Sequence, residues 1–101
     1  MAEETTIANE TYLNEEAAKA LTNRLSRMEG HVRSIRRMVA EHRCADDILL
    51  QVAAVKAALN AFAAVLLEHE LLSCVTSCMP GEQEDRLSRV SKALAALLKR
   101  S

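Results

Sequence analysis

The sequence is poor in the residues that form turns and sheets. Its 101 residues include two glycines, one proline, two aromatics (Tyr12 and Phe62) and no tryptophan. A β-sheet domain needs frequent turns and favours β-branched and aromatic side chains. Alanine and leucine, with 17 and 14 residues, make up nearly a third of the chain instead. Because these two residues favour helix, the composition excludes a sheet protein and predicts long helices.

A targeting segment and a catalytic motif are also missing. Residues 1–20 are polar and acidic and lack the apolar run of a signal peptide, so we expect a cytoplasmic protein. No glycine-rich phosphate loop and no Ser/His/Asp arrangement is present, so no enzyme is predicted. In a reducing compartment the three cysteines, Cys44, Cys74 and Cys78, are better read as ligands or reactive thiols than as structural disulfides.

The apolar periodicity predicts an all-α subunit with two long antiparallel helices and a short third one. A flexible tail is expected over residues 1–13 and one helical domain over 14–101. The helices are predicted at about 14–43, 47–78 and 84–99, with Asp46 or Asp47 as the cap of the second. Gly30 lies inside the first helix, where glycine is about 1 kcal/mol less favourable for helix stability than alanine. A close approach of another backbone segment at this position would be one reason for a glycine there.

The apolar rows predict how the helices pack. The first helix carries a narrow stripe with spacings of four and three, made of Leu21, Leu25, Met28, Val32, Ile35 and Val39. The second is apolar nearly all round, which indicates a central helix or a membrane span; Lys56 in its middle and the lack of an aromatic belt disfavour the membrane. Its bulky row is predicted to face the first helix and its alanine row a second subunit. These rows are Ile48, Val52, Val55, Leu59, Phe62 and Leu66, and Ala54, Ala57, Ala58, Ala61 and Ala64.

Positive charge is concentrated in the first helix. The whole chain has a net charge of −1, whereas residues 23–43 hold six arginines against two glutamates, a local charge of +4. Arginine forks suit phosphate oxygens. No helix-turn-helix or zinc finger accompanies the arginines, so a solvated helix face and a DNA-binding face both remain open. A helical assembly protein that does not bind DNA is the competing class.

Two thiols and a carboxylate share one face near the end of the second helix. Glu70 and Cys74 are four residues apart, and so are Cys74 and Cys78, so each pair could chelate an ion. His69 points about 100° away from Glu70. Cys44 lies some 30 residues earlier, roughly 45 Å along the helix, and could meet Cys74 only across two antiparallel subunits. A lone helical cysteine is otherwise a small buried hydrophobe.

Three stretches resemble the copper-sensing operon repressor (CsoR) family, which includes nickel/cobalt, formaldehyde and persulfide sensors. They are NRLSRMEGHVRSIRRMV (23–39), ILLQVAAVKAALNAF (48–62) and LLEHELLSCV (66–75), and the similarity covers about residues 21–100. The resemblance implies a dimer of dimers that binds double-stranded operator DNA and is released by an effector between subunits. The DNA face it implies consists of Arg24, Arg27, Arg33, Arg36, Arg37 and Lys56.

The effector site departs from the pattern of the family's copper sensors. These use a cysteine at the start of the second helix, with a histidine and a cysteine four residues apart near the end of the partner's second helix. In this sequence the position of the first cysteine holds Ala45, and Cys44 lies one residue earlier. The position of the histidine holds Glu70, and His69 lies one residue earlier. Cys74 matches the position of the second cysteine.

Four interpretations of this site follow from the resemblance. Cu(I) held by Cys44 and Cys74, with Cys78 or His69 as a further ligand, is slightly favoured. Persulfide or disulfide chemistry between Cys44 and Cys74, without a cofactor, is the alternative. A Zn²⁺ site that also uses Glu70 is a third. A scaffold that binds DNA but has lost its sensing function is the fourth.

Overall fold

The computed structural model describes residues 13–77 and 81–100; at residues 76–77 it describes the backbone only. This part of the chain forms three helices. They are α1 (Glu15–Ala40), α2 (Ala45–Ser77) and α3 (Glu82–Lys99), with no strand in these ranges. The predicted three-helix all-α subunit is confirmed. Of the predicted tail only Leu13 is described. The chain forms two compact units, Leu13–Leu67 and one that includes residues 68–100, and each is described separately.

The turn between α1 and α2 explains why α1 ends three residues before the predicted Arg43. His42 adopts a left-handed conformation with φ of 58°. Its N–H donates to the Val39 carbonyl (3.0 Å), and the Arg43 N–H donates to the Met38 carbonyl (3.0 Å). These two hydrogen bonds form a Schellman motif, which stops a helix by satisfying its last carbonyls.

The start of each long helix has its own capping pattern. In α1 the Asn14 side chain accepts a hydrogen bond from the Ala17 N–H at 2.7 Å. In α2 the carbonyl of Cys44 accepts from the Ile48 N–H at 3.2 Å, so the helix begins two residues earlier than predicted. Asp46 and Asp47 therefore lie in the first turn, where they complement the helix dipole, and the prediction that one of them is the cap was wrong.

A seam between α1 and α2 holds the Leu13–Leu67 unit together. On α1 the least exposed side chains recur with spacings of three and four; they are Ala17, Leu21, Arg24, Met28, His31, Ile35 and Met38. On α2 the matching row is Gln51, Val55, Ala58, Phe62 and Val65. His31 Nε2 lies 2.6 Å from Gln51 Oε1 across the seam. The two helices thus pack through heptad-like rows that include polar residues.

The observed seam is rotated relative to the predicted one. Leu25, Val32 and Val39, which were expected to face α2, are 41, 51 and 56% exposed. On α2, Val52 and Leu59 of the predicted bulky row are also exposed, whereas Ala58 of the alanine row lines the seam. The polar pair His31–Gln51 takes the place of apolar contacts, because its hydrogen bond offsets the cost of burying both groups.

Gly30 has no close neighbour among the described residues. A Cβ added there would meet only the Arg33 Nη2 atom at 3.7 Å, an ordinary contact. The close backbone approach suggested as a reason for this glycine is therefore not found among the described residues.

The second unit consists of the end of α2 and α3. Helix α3 begins after Gly81, whose φ of 95° is a left-handed conformation that favours glycine. Glu82, Glu84 and Asp85 lie in its first turn and Lys99 in its last, in agreement with the helix dipole. The helix starts two residues before the predicted position, and none of its residues is fully buried.

Residues Ala45–Val75 of α2 form a helix that is long and apolar enough to cross a membrane by length and composition alone. None of its most apolar window is buried within the single chain. The many exposed leucines, valines and alanines of α2 instead define a surface that requires a cover in water.

Candidate thiol site and basic surface

Cys74 is the most deeply buried cysteine of the described chain. Its side chain is 1% exposed. Its Sγ atom donates to the carbonyl of Gln83 in the first turn of α3, at 4.0 Å. An effector that reacts with this sulfur must therefore displace the start of α3 or approach beside it.

Glu70, one helical turn before Cys74, is held by a bidentate ion pair. Arg86 on α3 donates from Nε to one carboxylate oxygen at 2.7 Å and from Nη2 to the other at 2.9 Å. The same Nη2 lies 3.3 Å from the Ser73 Oγ atom. The Glu70 and Arg86 side chains are only 13 and 19% exposed. A bidentate pair of this kind is among the stronger hydrogen-bonded arrangements in proteins, and it fixes α3 beside Cys74.

Sequence reasoning missed the role of Arg86. One signal was available: the residue follows three acidic side chains in the first turn of α3, Glu82, Glu84 and Asp85. A cation near a helix N-terminus is disfavoured by the helix dipole. An arginine in that position is therefore expected to have an acidic partner elsewhere.

The other candidate ligands are placed differently. Cys44 is exposed and free at the start of α2, and His69 is half-buried. Cys78 lies outside the described residues. Within residues 13–77 and 81–100 no group of three His, Cys, Asp or Glu side chains could hold a metal ion. One chain by itself does not assemble a metal site in this region.

Five of the six predicted DNA-binding residues are exposed, and together they are called the basic surface. Arg27, Arg33, Arg36, Arg37 and Lys56 are exposed, whereas Arg24 is half-buried on the seam. Arg37 Nη2 donates to the Ser34 Oγ atom at 3.3 Å. In the described part of the chain none of the six forms an ion pair with a carboxylate. Their charges are therefore not neutralised within this part.

The chain is similar in sequence and in fold to known regulators. The profile of the metal-sensitive transcriptional repressor family matches residues 17–100. Among curated relatives, the copper-sensing transcriptional repressor RicR of Mycobacterium tuberculosis H37Rv is 40% identical over 80 residues, 75% of this chain and 82% of RicR. The copper-sensing transcriptional repressor CsoR of Bacillus subtilis 168 is 40% identical over 82 residues, 77% of this chain and 81% of CsoR.

A solved structure shows the same similarity. The nickel-responsive transcriptional regulator InrS is similar with a TM-score of 0.68 and 38% sequence identity, over 82% of this chain and 94% of that chain. The chain belongs to the family of metal-sensitive transcriptional repressors. This family is regulatory and not enzymatic, which confirms the class predicted from the motifs and disfavours an assembly protein without a regulatory role.

Proposed function

We propose that this protein is a cytoplasmic repressor that binds operator DNA through the basic surface of α1 and is released by an effector at an inter-subunit cysteine site. The observation that supports DNA binding is the set of exposed α1 arginines that form no ion pair among the described residues, on a chain of this repressor family. Each contact between such a side chain and a phosphate releases counterions, which favours association with DNA. Lys56 on α2 is also exposed and is a further candidate for a phosphate contact.

The exposed apolar rows support self-association. Leu25, Val32 and Val39 of α1 repeat every seven residues beside the seam, and so do Val52 and Leu59 of α2. Each residue of these rows directly follows a seam position in the sequence. In an antiparallel helix pair such positions lie on the same flank, so the two rows form one apolar surface. A second hairpin placed there would bury both rows in a four-helix arrangement, from which a dimer of dimers can be built.

The proposed effector site combines Cys44 of one subunit with Cys74 of the other. Cu(I) is a soft ion that prefers thiolate ligands, and both residues can supply one. His69 and Cys78 are kept as candidates for a third ligand. Glu70 is left out of the ligand set because both of its oxygens already accept hydrogen bonds from Arg86. The Zn²⁺ hypothesis, which depends on Glu70, is weakened for the same reason.

Release from DNA then follows from linkage between two binding equilibria. A ligand that binds the DNA-free conformation more tightly lowers the affinity for DNA by the same factor. The start of α3 covers the Cys74 sulfur through Gln83 and is fixed by Arg86. Engagement of Cys74 therefore changes the position of α3, and this displacement is the proposed link between the thiol and the assembly.

Thiol chemistry is the second candidate, because it needs only the two sulfurs. The Cys44 thiolate would attack a sulfur of an inorganic polysulfide, giving a Cys44 persulfide and a polysulfide shortened by one sulfur. The Cys74 thiolate of the other subunit would attack the Cys44 sulfur, forming a disulfide and expelling hydrosulfide. The two thiolates are oxidised, and one polysulfide sulfur is reduced to hydrosulfide.

One experiment separates the two effectors. The reduced protein is exposed to Cu(I) or to polysulfide, analysed by native mass spectrometry, and tested for release of a DNA duplex selected from a random-sequence pool. A bound ion with DNA release supports Cu(I), and a covalent inter-subunit link with DNA release supports thiol chemistry.

Substitution of Cys74 tests the site itself. Cys74→Ser should abolish the response to either effector while the affinity for DNA in its absence stays within a few-fold of the parent. Ser88→Ala, which removes a hydroxyl and no thiol at an exposed position of α3, is the control and should keep the response. An undiminished response of Cys74→Ser would remove this residue from the mechanism.

A further inference from the structure

The seam between α1 and α2 contains a cation where the neighbouring positions are apolar. Arg24 occupies the seam between the buried side chains of Leu21 and Met28 and is itself half-buried. Placing a charge in such a position is costly unless an opposite charge or hydrogen-bond acceptors compensate for it. A ligand with acceptor oxygens within reach of Arg24 would compensate for part of this cost.

A cleft lies next to this arginine within the Leu13–Leu67 unit. It has a volume of about 120 Å³ and is lined by Arg24, Arg27, Met28, His31 and Ala58. A water molecule takes up about 30 Å³ in the liquid, so the cleft has room for one tetrahedral oxyanion. Met28 and Ala58 contribute apolar walls, which strengthen the interaction of the two guanidinium groups with an anion by lowering the local dielectric.

Of the three polar side chains of the cleft, His31 is held by a hydrogen bond, whereas the two arginines carry the positive charge. The Nε2–H of His31 donates a hydrogen bond to Gln51 Oε1 at 2.6 Å, which orients the imidazole ring. Within residues 13–77 and 81–100, the side chains of Arg24 and Arg27 form no ion pair with a carboxylate. The cleft is thus a partly open site with two positive charges that the described chain leaves unbalanced.

We propose that this cleft binds one tetrahedral oxyanion of the phosphate class, held by the guanidinium groups of Arg24 and Arg27. Arginine forks match the oxygens of phosphate and sulfate in a bidentate manner. The oxyanion has two sources with the same chemistry, a phosphate of the DNA backbone and free inorganic phosphate. The first source rests on the proposed function, whereas the second is independent of it.

The test measures phosphate binding to the reduced, full-length protein without DNA. Thermal unfolding is followed in increasing potassium phosphate, with potassium chloride at matched ionic strength as the reference. The melting temperature should rise in a saturable manner by several degrees, because a ligand of the folded state stabilises it. Arg24→Gln and Arg27→Gln should each remove this rise.

A control variant and a second test variant make the phosphate-binding result interpretable. Lys92→Gln removes one exposed positive charge on α3 and should keep the phosphate response of the parent. Arg27 is exposed, so its substitution leaves the seam intact if Arg24→Gln fails to fold. No saturable rise in the parent, or an equal rise in Arg27→Gln, would overturn the proposal whatever the outcome with DNA.

A competition measurement identifies the source of the oxyanion. Binding of a duplex of about 30 base pairs is titrated with phosphate at constant ionic strength. Competition that Arg27→Gln abolishes assigns a backbone phosphate to the cleft, and DNA binding without competition assigns a free oxyanion. If the protein binds no DNA but binds phosphate, the proposed function fails while the cleft remains an oxyanion site.

Discussion

The two units of this small protein differ in how far their arginines are paired with carboxylates. In the Leu13–Leu67 unit the arginines of the basic surface form no ion pair among the described residues, and Arg24 lines an open cleft. Arg43 is the exception in this unit, with Nη2 at 3.7 Å from Asp47 Oδ2 in an exposed ion pair. In the other unit Arg86 is bound by both oxygens of Glu70, and Arg89 lies 3.5 Å from an Asp85 oxygen. The first unit therefore has charge available for a ligand, whereas the second uses charge to hold its own helices together.

The strongest test of this comparison removes two exposed arginines. Arg33→Ala together with Arg37→Ala should weaken DNA binding at least tenfold at physiological salt. If both contact phosphates, the slope of log affinity against log salt should become shallower by about 1.8. Fluorescence anisotropy with a labelled duplex over a salt series measures both quantities.

A matched pair of substitutions in the other unit provides the control. Arg89→Ala and Lys92→Ala also remove two positive charges, but they lie on α3, outside the proposed DNA surface. This variant should keep the salt slope of the parent. Equal salt slopes in the parent and in both double variants would place the DNA contacts elsewhere and would remove the distinction between the units.

Loss of the ion pair in the second unit should affect stability and not DNA contacts. Arg86→Ala leaves the Glu70 carboxylate without its bidentate partner, at a cost of about 1.5–3 kcal/mol in unfolding free energy. Urea unfolding of the DNA-free protein measures this cost. The accessibility of the Cys74 thiol, followed by its rate of alkylation, should rise because the start of α3 is no longer fixed.

A double-mutant cycle assigns these effects to the pair. Glu70→Gln combined with Arg86→Ala should destabilise by less than the sum of the two single substitutions, since each removes the same interaction. Strict additivity would show that the two side chains do not act together. Alkylation of Cys44, which is exposed already, serves as the internal reference for thiol reactivity.

The smallest expected effect concerns the glycine of α1. Gly30→Ala should stabilise the protein by about 1 kcal/mol, because alanine favours a helix and the added Cβ meets no close atom in this chain. Urea unfolding checks the value, with Ser26→Ala on the same helix as the control for a general propensity effect. A loss of stability would show that another subunit packs against this position and that the basic surface is partly an interface.

Local patterning was enough to predict the three helices and the basic character of α1. The helix ends differ from the observed ones by up to three residues, because backbone details such as the left-handed His42 stop α1 earlier than its periodicity indicates. The position of Cys74 on α2 was also predictable, but its burial was not, since it depends on the first turn of α3. The proposed meeting of Cys44 and Cys74 across subunits stays a prediction.

The apolar rows show why the packing was harder to predict. On α1 the rows that contain Arg24 and Leu25 differ by one residue, and the apolar pattern alone favours the leucine. The structure places Arg24 and His31 on the seam, where Gln51 of the facing helix is the hydrogen-bond partner of His31. A choice of this kind depends on what the other helix presents, which the periodicity of one helix does not contain.

The sequence by itself determined the all-α class, the extent of two long helices, and the concentration of arginine on the first, since these follow from composition and local spacing. The tertiary structure alone decided which row of each helix is buried, where α3 covers Cys74, and that Glu70 is bound to Arg86 sixteen residues away. The physical reason is that helix formation depends on neighbouring residues, whereas burial and ion pairing depend on groups that folding brings together from distant positions.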